Sequence, residues 1–407
     1  MKLSDELEWR GFINQTTLPE IGQLNSGPIS FYFGVDPSAD SMTIGNLAAA
    51  MMVRHLIDAG HNAYLLVGGA TGLIGDPDGK KEQRPAITLE QLAHNKAALA
   101  SQYRQIFSGK NFEIVDNFDW FQNINYMDFL RNVGRHVPLS SMLGRDFVQS
   151  RLGEGGNGIS YAEFSYSLIQ GYDFLHLYRT KGVTLQLCGA DQWGNSIAGV
   201  DMIRRIESGE AHVLSTPLVI NKSTGKKFGK SEDGAVWIDA KKTTPYAFYQ
   251  FWLNLDDEGV IDYTKIYTLL SKDEISELQN QASLNPGSRL AQKRLAYEVT
   301  KIVHGEETAK SVENVTGVLF GGTSVNELSD TEVNMLSEAI PTVSVGAELL
   351  EVLVSTKVAS SKGEARRLVE AGAISINGTK VSIADASNTV QALCLIKKGK
   401  NVFVLVR

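Results

Sequence analysis

The 407-residue chain is 43% hydrophobic and 21% charged, with 38 glycines and 10 prolines. This excludes a disordered, fibrous or small stapled protein and leaves room for two or three domains at roughly 150 residues each. Its two cysteines, Cys188 and Cys394, are too few for a disulfide framework or a cysteine zinc site, so a reducing compartment fits best.

The net charge of −7 is unevenly spread: from Ser355 to the end nine basic side chains stand against three acidic ones, a balance of +6, leaving −13 for the rest. An acidic body with a basic end suits one domain that meets a polyanion, although a plain solvated basic face has the same composition. The start, Met1-Lys2-Leu3-Ser4-Asp5-Glu6, carries acids where a targeting peptide is basic and then apolar, and no apolar run approaches membrane-spanning length. A cytoplasmic protein without membrane contact is expected.

In chain order, Ile29 to Val35 predicts a strand, a Pro-Ser-Ala-Asp loop follows, and Asn46 to Leu56 predicts a helix. Further strands are expected at Ala63–Val67, Val183–Leu187 and Val213–Ile220, with helices at Leu89–Phe107 and Tyr126–His136. That alternation is an α/β, doubly wound parallel-sheet pattern, Rossmann-like, over residues 1–220. Residues 221–240, rich in Gly, Ser and Lys, predict a mobile surface loop. Residues 241–340 are mostly helical, Pro341–Val345 reads as a linker, and 341–407 forms a small basic α+β domain.

Two glycine-bearing loops follow strands. Tyr32-Phe33-Gly34-Val35-Asp36-Pro37-Ser38, continuing to Thr43-Ile44-Gly45-Asn46, opens a helix whose N-terminus suits a phosphate, or else its glycines only make turns. Gly68-Gly69-Ala70-Thr71-Gly72 runs on to Asp76, Lys80 and Arg84, which could hold an ammonium and a phosphate or form an ordinary turn. On a helix from Tyr161 to Tyr178, Tyr166, Gln170 and Asp173 share one face, and a buried Asp173 must meet a ligand or a polar neighbour. Gln186 to Asn195 holds Gly189, Asp191 and Gln192 where a strand meets a helix; Asp191 could read ribose or simply cap the helix. Lys226-Lys227-Phe228-Gly229-Lys230-Ser231 lies in the loop, where lysines can neutralise a departing polyphosphate. In the tail, a helix at Lys362–Gly372 precedes an Asn377-Gly378 hairpin, a compact basic unit suited to structured RNA.

Together and in this order these motifs resemble the bacterial-type tyrosyl-tRNA synthetases, which are class I aminoacyl-tRNA synthetases. The likeness is most specific from 28 to 240, strong from 341 to 407 and weak between. It implies ATP-dependent activation of L-tyrosine to tyrosyl-adenylate and transfer to the 3′-terminal adenosine of tRNA(Tyr), without an editing domain. By resemblance, Tyr32 and Asp173 bind the phenol, Asp76, Tyr166 and Gln170 the ammonium, and Gln192 lies by the carboxylate. Asp36, Gly45, Gly189 and Asp191 lie on the ATP side. Ser38, Thr43, Asn46, Lys80, Arg84, Lys227, Lys230 and Ser231 surround the leaving pyrophosphate, and Lys362, Arg366, Arg367 and Lys380 meet RNA. ATP enters as a substrate with Mg2+, no structural metal is expected, and the family works as a homodimer.

Two departures stand out. Thr43 occupies the place of the first histidine of the HIGH-type signature, and Phe33 that of a small residue or cysteine beside the ribose. A synthetase-like RNA-binding protein with impaired activation is the rival reading. A tryptophanyl relative would not be expected to keep Tyr32 with Asp173.

Overall fold

A computed structural model describes residues 1–77, 87–144, 146–153, 156–231, 234–386 and 388–407. The chain forms two compact units: Met1–Thr243 with Leu255–Leu295, and Thr244–Asn254 with Ala296–Arg407.

The first unit is built on a six-stranded sheet of β1 (Gln15–Thr16), β2 (Ser30–Val35), β3 (Asn62–Val67), β4 (Glu113–Asp116), β5 (Leu185–Gly189) and β6 (His212–Thr216). Its order is β1-β6-β5-β2-β3-β4, parallel except where β1 meets β6. The chain moves from β2 outward to β3 on one side and places β5 on the other. The sheet order therefore reverses at β2, and a crevice opens at the carboxyl ends of β2 and β5, where open α/β sheets bind ligands.

Helices α1 (Leu3–Arg10), α2 (Ile44–Asp58), α3 (Gly69–Ile74), α4 (Leu89–Ile106), α5 (Tyr161–Lys181), α6 (Trp193–Glu207) and α7 (Val260–Tyr267) belong to this unit. α2 buries Leu47, Met51, Met52, Val53 and Leu56 completely, beside the alanines 48 to 50, and so serves as a core helix. α5 starts at a capping box, in which the Glu163 N–H donates to Ser160 Oγ and the Ser160 N–H donates to Glu163 Oε2. α5 and α6 meet at Gly171 and Gly199. A Cβ on Gly171 would press on Met202 at 2.8 Å, and one on Gly199 on Phe174 at 2.8 Å. That contact leaves no space for a side chain and fixes the depth at which α5 presents its polar residues.

The second unit ends in a five-stranded sheet. Its strands are β9 (Thr342–Val343), β10 (Ile374–Ile376), β11 (Thr379–Lys380), β12 (Cys394–Lys398) and β13 (Val402–Val406), with a two-stranded ribbon, β7 (Lys230–Ser231) and β8 (Gly234–Ala235), preceding them in the first unit. The β10–β11 hairpin turns at Asn377 and Gly378, both left-handed at φ 48° and 82°, the conformation that favours Asn-Gly. Helix α8 (Lys362–Glu370) buries Ala365 and Val369 against this sheet and leaves Lys362 and Arg366 outward.

Three expected elements differ. The strand expected to reach Ile220 stops at Thr216, before Pro217, which lacks a donor for the ladder. The helix at Tyr126 ends at Asn132 and gives way to a 3-10 turn from Gly134. Pro341–Val345 is not a free linker: Thr342 and Val343 pair in parallel with Leu405 and Val406. No helix among the described residues is long and apolar enough to cross a membrane.

α1 is tied to the end of α7 by a buried guanidinium. Arg10, 2% exposed, donates to the carbonyls of Lys265 (2.7 Å), Thr268 (3.0 Å) and Leu270 (2.6 Å) and pairs with Glu6 at 3.0 Å. Glu6 also faces His55 Nδ1 at 3.6 Å. Burial first, and the Arg10 charge second, lower His55 from its ordinary 6.5 to about 4. Folded His55 thus stays neutral down to about pH 4, while the unfolded chain takes up its proton near pH 6.5, so stability falls as pH drops through this window. From pH 7 to pH 5 the wild-type chain should lose roughly 2 kcal/mol more than a His55→Gln variant in urea unfolding; parallel losses would refute the burial argument.

Candidate active site

A cavity of about 600 Å³ lies at the carboxyl ends of β2, β5 and β6 and contains Tyr32, Asp36, Asp76, Tyr166, Gln170, Asp173, Gln186, Asp191, Gln192 and Lys227 in its wall. β2 and β5 run side by side, with Tyr32 paired to Gln186. The loop to α2 brings Ser38, Thr43, Gly45 and Asn46 to the rim. The face of α5 predicted to be polar does line the cavity, with Tyr166 4% and Asp173 1% exposed.

Asp173 accepts from Asn117 Nδ2 on one oxygen and Trp120 Nε1 on the other, both at 3.0 Å. Asn117, fully buried, also donates to Thr71 Oγ1 at 3.1 Å and accepts from the Ala70 N–H at 2.6 Å. The Thr71 hydroxyl donates to Asp36 Oδ1 and the Tyr166 hydroxyl to Asp36 Oδ2, each at 2.6 Å. One connected network therefore runs from Trp120 through Asp173, Asn117, Thr71 and Asp36 to Tyr166. Beside it Gln192 Nε2 donates to Asp76 Oδ2 at 2.5 Å, and Asn195 Nδ2 donates to Gln192 Oε1 at 3.2 Å.

Burial pushes Asp173 well above the usual carboxylate range, against the opposing effect of its Asn117 and Trp120 hydrogen bonds. It raises Tyr32 as well, and the nearby Asp173 adds to the rise. Burial, and then Asp36, raises Tyr166. Both tyrosines are thus phenols, able to donate. Three buried polar atoms of the cavity wall have no hydrogen-bond partner among the described residues: the Tyr32 hydroxyl, Gln170 Oε1 and Gln186 Oε1. Buried polar groups are normally satisfied, so these three call for a polar ligand.

The other rim carries opposite charges in water. Lys227 Nζ stands 3.7 Å from Asp191 Oδ2, with both side chains exposed. A Cβ on Gly189 would reach Asp191 Oδ1 at 2.7 Å, a contact that the exposed Asp191 side chain would have to turn away to relieve. The Thr43 hydroxyl donates to Asn46 Oδ1. Phe33, 4% exposed, packs edge-on against Tyr103.

The lysine segment is anchored by a buried aromatic ring and by backbone hydrogen bonds on both sides of it. Phe228 is 4% exposed and stacks on Tyr263 with ring centroids 4.5 Å apart. Gly229 O accepts from the Val236 N–H at 3.0 Å. Lys230 and Ser231 form β7, paired with β8; their side chains, like the whole of Lys80 and Arg84, lie outside the described residues. In the tail Arg366, Arg367 and Lys380 are exposed, while Lys362 pairs with Glu351 at 2.8 Å.

Asn117 and Trp120 escaped the sequence reading, because β4 has only four residues and a mostly half-buried pattern. Gln186 did carry a signal, as a polar residue inside the fully buried run Leu185-Gln186-Leu187-Cys188.

Comparison with known proteins follows the same outline. Residues 24–321 match the family model of class I tRNA synthetases for W and Y, and residues 332–406 match the tyrosine–tRNA ligase SYY-like C-terminal domain. The chain is 44% identical to the tyrosine–tRNA ligase of Levilactobacillus brevis, over 100% of this chain and 99% of that one. It is also 44% identical to tyrosine–tRNA ligase 2 of Bacillus cereus, with the same coverage. Among solved structures, a C-terminally truncated mitochondrial tyrosyl-tRNA synthetase of Aspergillus nidulans superposes with a TM-score of 0.71 at 28% identity, covering 78% of this chain and 94% of that one. The cavity's paired Tyr32 and Asp173, the glycine-lined switch point and the full-length likeness lead to one conclusion: the chain belongs to the tyrosyl-tRNA synthetase family of class I aminoacyl-tRNA synthetases.

Proposed function

We propose that this chain activates L-tyrosine with ATP, forming tyrosyl-adenylate and pyrophosphate, and transfers the tyrosyl group to the 3′-terminal adenosine of tRNA(Tyr). The observation that carries the reading is the buried, unpartnered Tyr32 hydroxyl lining the same cavity as an Asp173 held by two donors. A phenol hydroxyl placed between them accepts from Tyr32 and donates to Asp173. An indole or a phenyl ring leaves both groups buried and unsatisfied, which is the strongest form of selectivity a pocket has.

Gln170 Oε1 is an acceptor suited to the substrate ammonium, with Asp76 and Tyr166 alongside. Gln192, oriented by Asp76 and Asn195, lies by the carboxylate. That carboxylate attacks the α-phosphorus in line, a new C–O–P bond forms, and the bond to the β-phosphate bridging oxygen breaks. Pyrophosphate leaves with Mg2+, which enters as the ATP complex. No side chain forms a covalent intermediate. Asp36, Gly45, Gly189 and Asp191 serve the nucleotide, and Ser38, Asn46, Lys80, Arg84, Lys227, Lys230 and Ser231 face the polyphosphate. The lysines of 221–240 stabilise the charge that grows on the leaving group. Lys227 pairs with Asp191 and exchanges that partner for phosphate when ATP arrives.

On this reading residues 1–220 are the catalytic domain, 241–340 a helical stretch of which Leu255–Leu295 pack within the first unit, and 341–407 the RNA-binding domain, in which Lys362, Arg366, Arg367 and Lys380 meet tRNA phosphates. The protein acts in the cytoplasm as a homodimer. Support for the dimer comes from large exposed side chains on neighbouring stretches of the first unit, Tyr126, Met127, Leu139, Leu152 and Tyr161, each more than half exposed.

Tyrosine-dependent ATP–pyrophosphate exchange is the direct test. Exchange with phenylalanine should be slower by about 10⁴ to 10⁵ in kcat/KM, and with tryptophan undetectable. Tyr32→Phe should narrow the tyrosine–phenylalanine gap by about tenfold, and tyrosine use unchanged by Asp173→Asn would defeat the assignment. Lys227→Ala should lower the exchange rate by about 10² to 10³ with tyrosine affinity retained; equal loss in both would make the residue structural. An Arg366→Ala, Lys380→Ala double variant should raise the KM for tRNA most at low salt, with a shallower salt dependence than wild type, and leave exchange as it was.

A further inference from the structure

Thr43 is the position at which this chain leaves the histidine of its family's signature, and its surroundings show what the threonine does. Its backbone N–H and its hydroxyl both donate to one atom, Asn46 Oδ1, at 3.0 Å each. A carboxamide has one acceptor end and one donor end. A flip of the amide would set NH2 against the Thr43 N–H, which can only donate; the hydroxyl, able to donate or accept, adds a second bond to the oxygen in the unflipped orientation. The Asn46 side chain is thereby held in one of its two orientations. Asn46 lines the cavity, and its Nδ2 has no acceptor among the described residues.

Thr43 is itself held. The segment Met42–Ile44 forms a bridge with 236–238, through Ile44 N–H to Val236 O at 3.1 Å and Ile238 N–H to Met42 O at 3.0 Å. Tyr267 Oη donates to Ile44 O at 3.1 Å. A β-branched side chain on an extended backbone, φ −100° and ψ 170°, has few χ1 wells, so its hydroxyl direction is largely preset. A hydroxyl already engaged on Asn46, and shorter in reach than an imidazole, is a poor direct donor to a phosphate.

The geometry points to Thr43 as a positioning residue, one that orients the Asn46 carboxamide so that Nδ2 donates to an acceptor oxygen of the bound nucleotide. The inference rests on the tyrosine-activation reading above.

The test is a double-mutant cycle in the full chain, with KM for ATP, KM for tyrosine and kcat of pyrophosphate exchange measured separately. Thr43→Val should cost roughly three- to tenfold in the kcat/KM for ATP and leave the KM for tyrosine within about twofold, while Thr43→Ser restores wild-type values. In an Asn46→Ala background, Thr43→Val should cost less than about twofold, because no carboxamide remains to orient. Equal losses in both backgrounds would mean that Thr43 meets the nucleotide directly, and an unaffected Thr43→Val would mean that it orients nothing; either overturns the inference. If Thr43→Val yields too little folded chain, Thr43→Ala goes through the same cycle under the same criteria. Exchange by the unmodified chain tests the activation reading itself, so active wild type with uncoupled variants defeats this inference alone.

Discussion

A carboxylate buried to 1% exposure without a cation beside it among the described residues governs this site. Left alone, such a group would be intolerable in a packed interior. Here Asn117 and Trp120 cover one oxygen each, and Asn117 is in turn fixed by Ala70 and Thr71. The need to satisfy Asp173 therefore dictates where the loop after β4 lies, where α3 begins and how Thr71 turns toward Asp36. The remaining lone pairs of Asp173 are what a substrate hydroxyl can use. Specificity and local architecture are two results of one hydrogen-bonding requirement.

The two ends of the cavity solve different electrostatic problems. The amino-acid end is dry and closely packed, its groups held by neutral donors, and its tyrosines are kept protonated by burial. The nucleotide end is open to water, with an exposed lysine on an exposed aspartate. Charge in water is cheap to rearrange, whereas a buried network is not. The closed end of the cavity is thus the rigid one and the open end the soft one. Phe228 joins the two regimes: its ring is sunk against Tyr263, while the neighbouring Lys227 side chain is exposed beside Asp191.

Much of this could be read in the sequence where a signal was long or chemically odd. The helix at 161–178 was legible because three polar residues recur on the apolar face of a capped segment, and the Asn-Gly hairpin because both its residues favour positive φ. β4 and β9 were not legible, with four and two residues respectively; strands that short owe their existence to a neighbour supplied elsewhere in the chain. For the same reason Asn117 and Trp120 were invisible: nothing local marks them, and their meaning comes from an aspartate more than fifty positions away. Thr43 and Asn46 were both legible as site residues, but their pairing emerged only from the hydrogen bonds.

The bridge between Met42–Ile44 and residues 236–238 also bears on how the protein is made. The opening of α2 is synthesised almost two hundred residues before the strand-like segment that clasps it, and α1 waits longer still for the carbonyls near Leu270 that receive Arg10. At translation speeds of about 5 to 20 residues per second, the nascent chain spends roughly 10 to 50 s with these groups exposed. The nucleotide end of the site therefore closes last, so a chain interrupted before about residue 240 holds most of the sheet yet lacks an assembled signature.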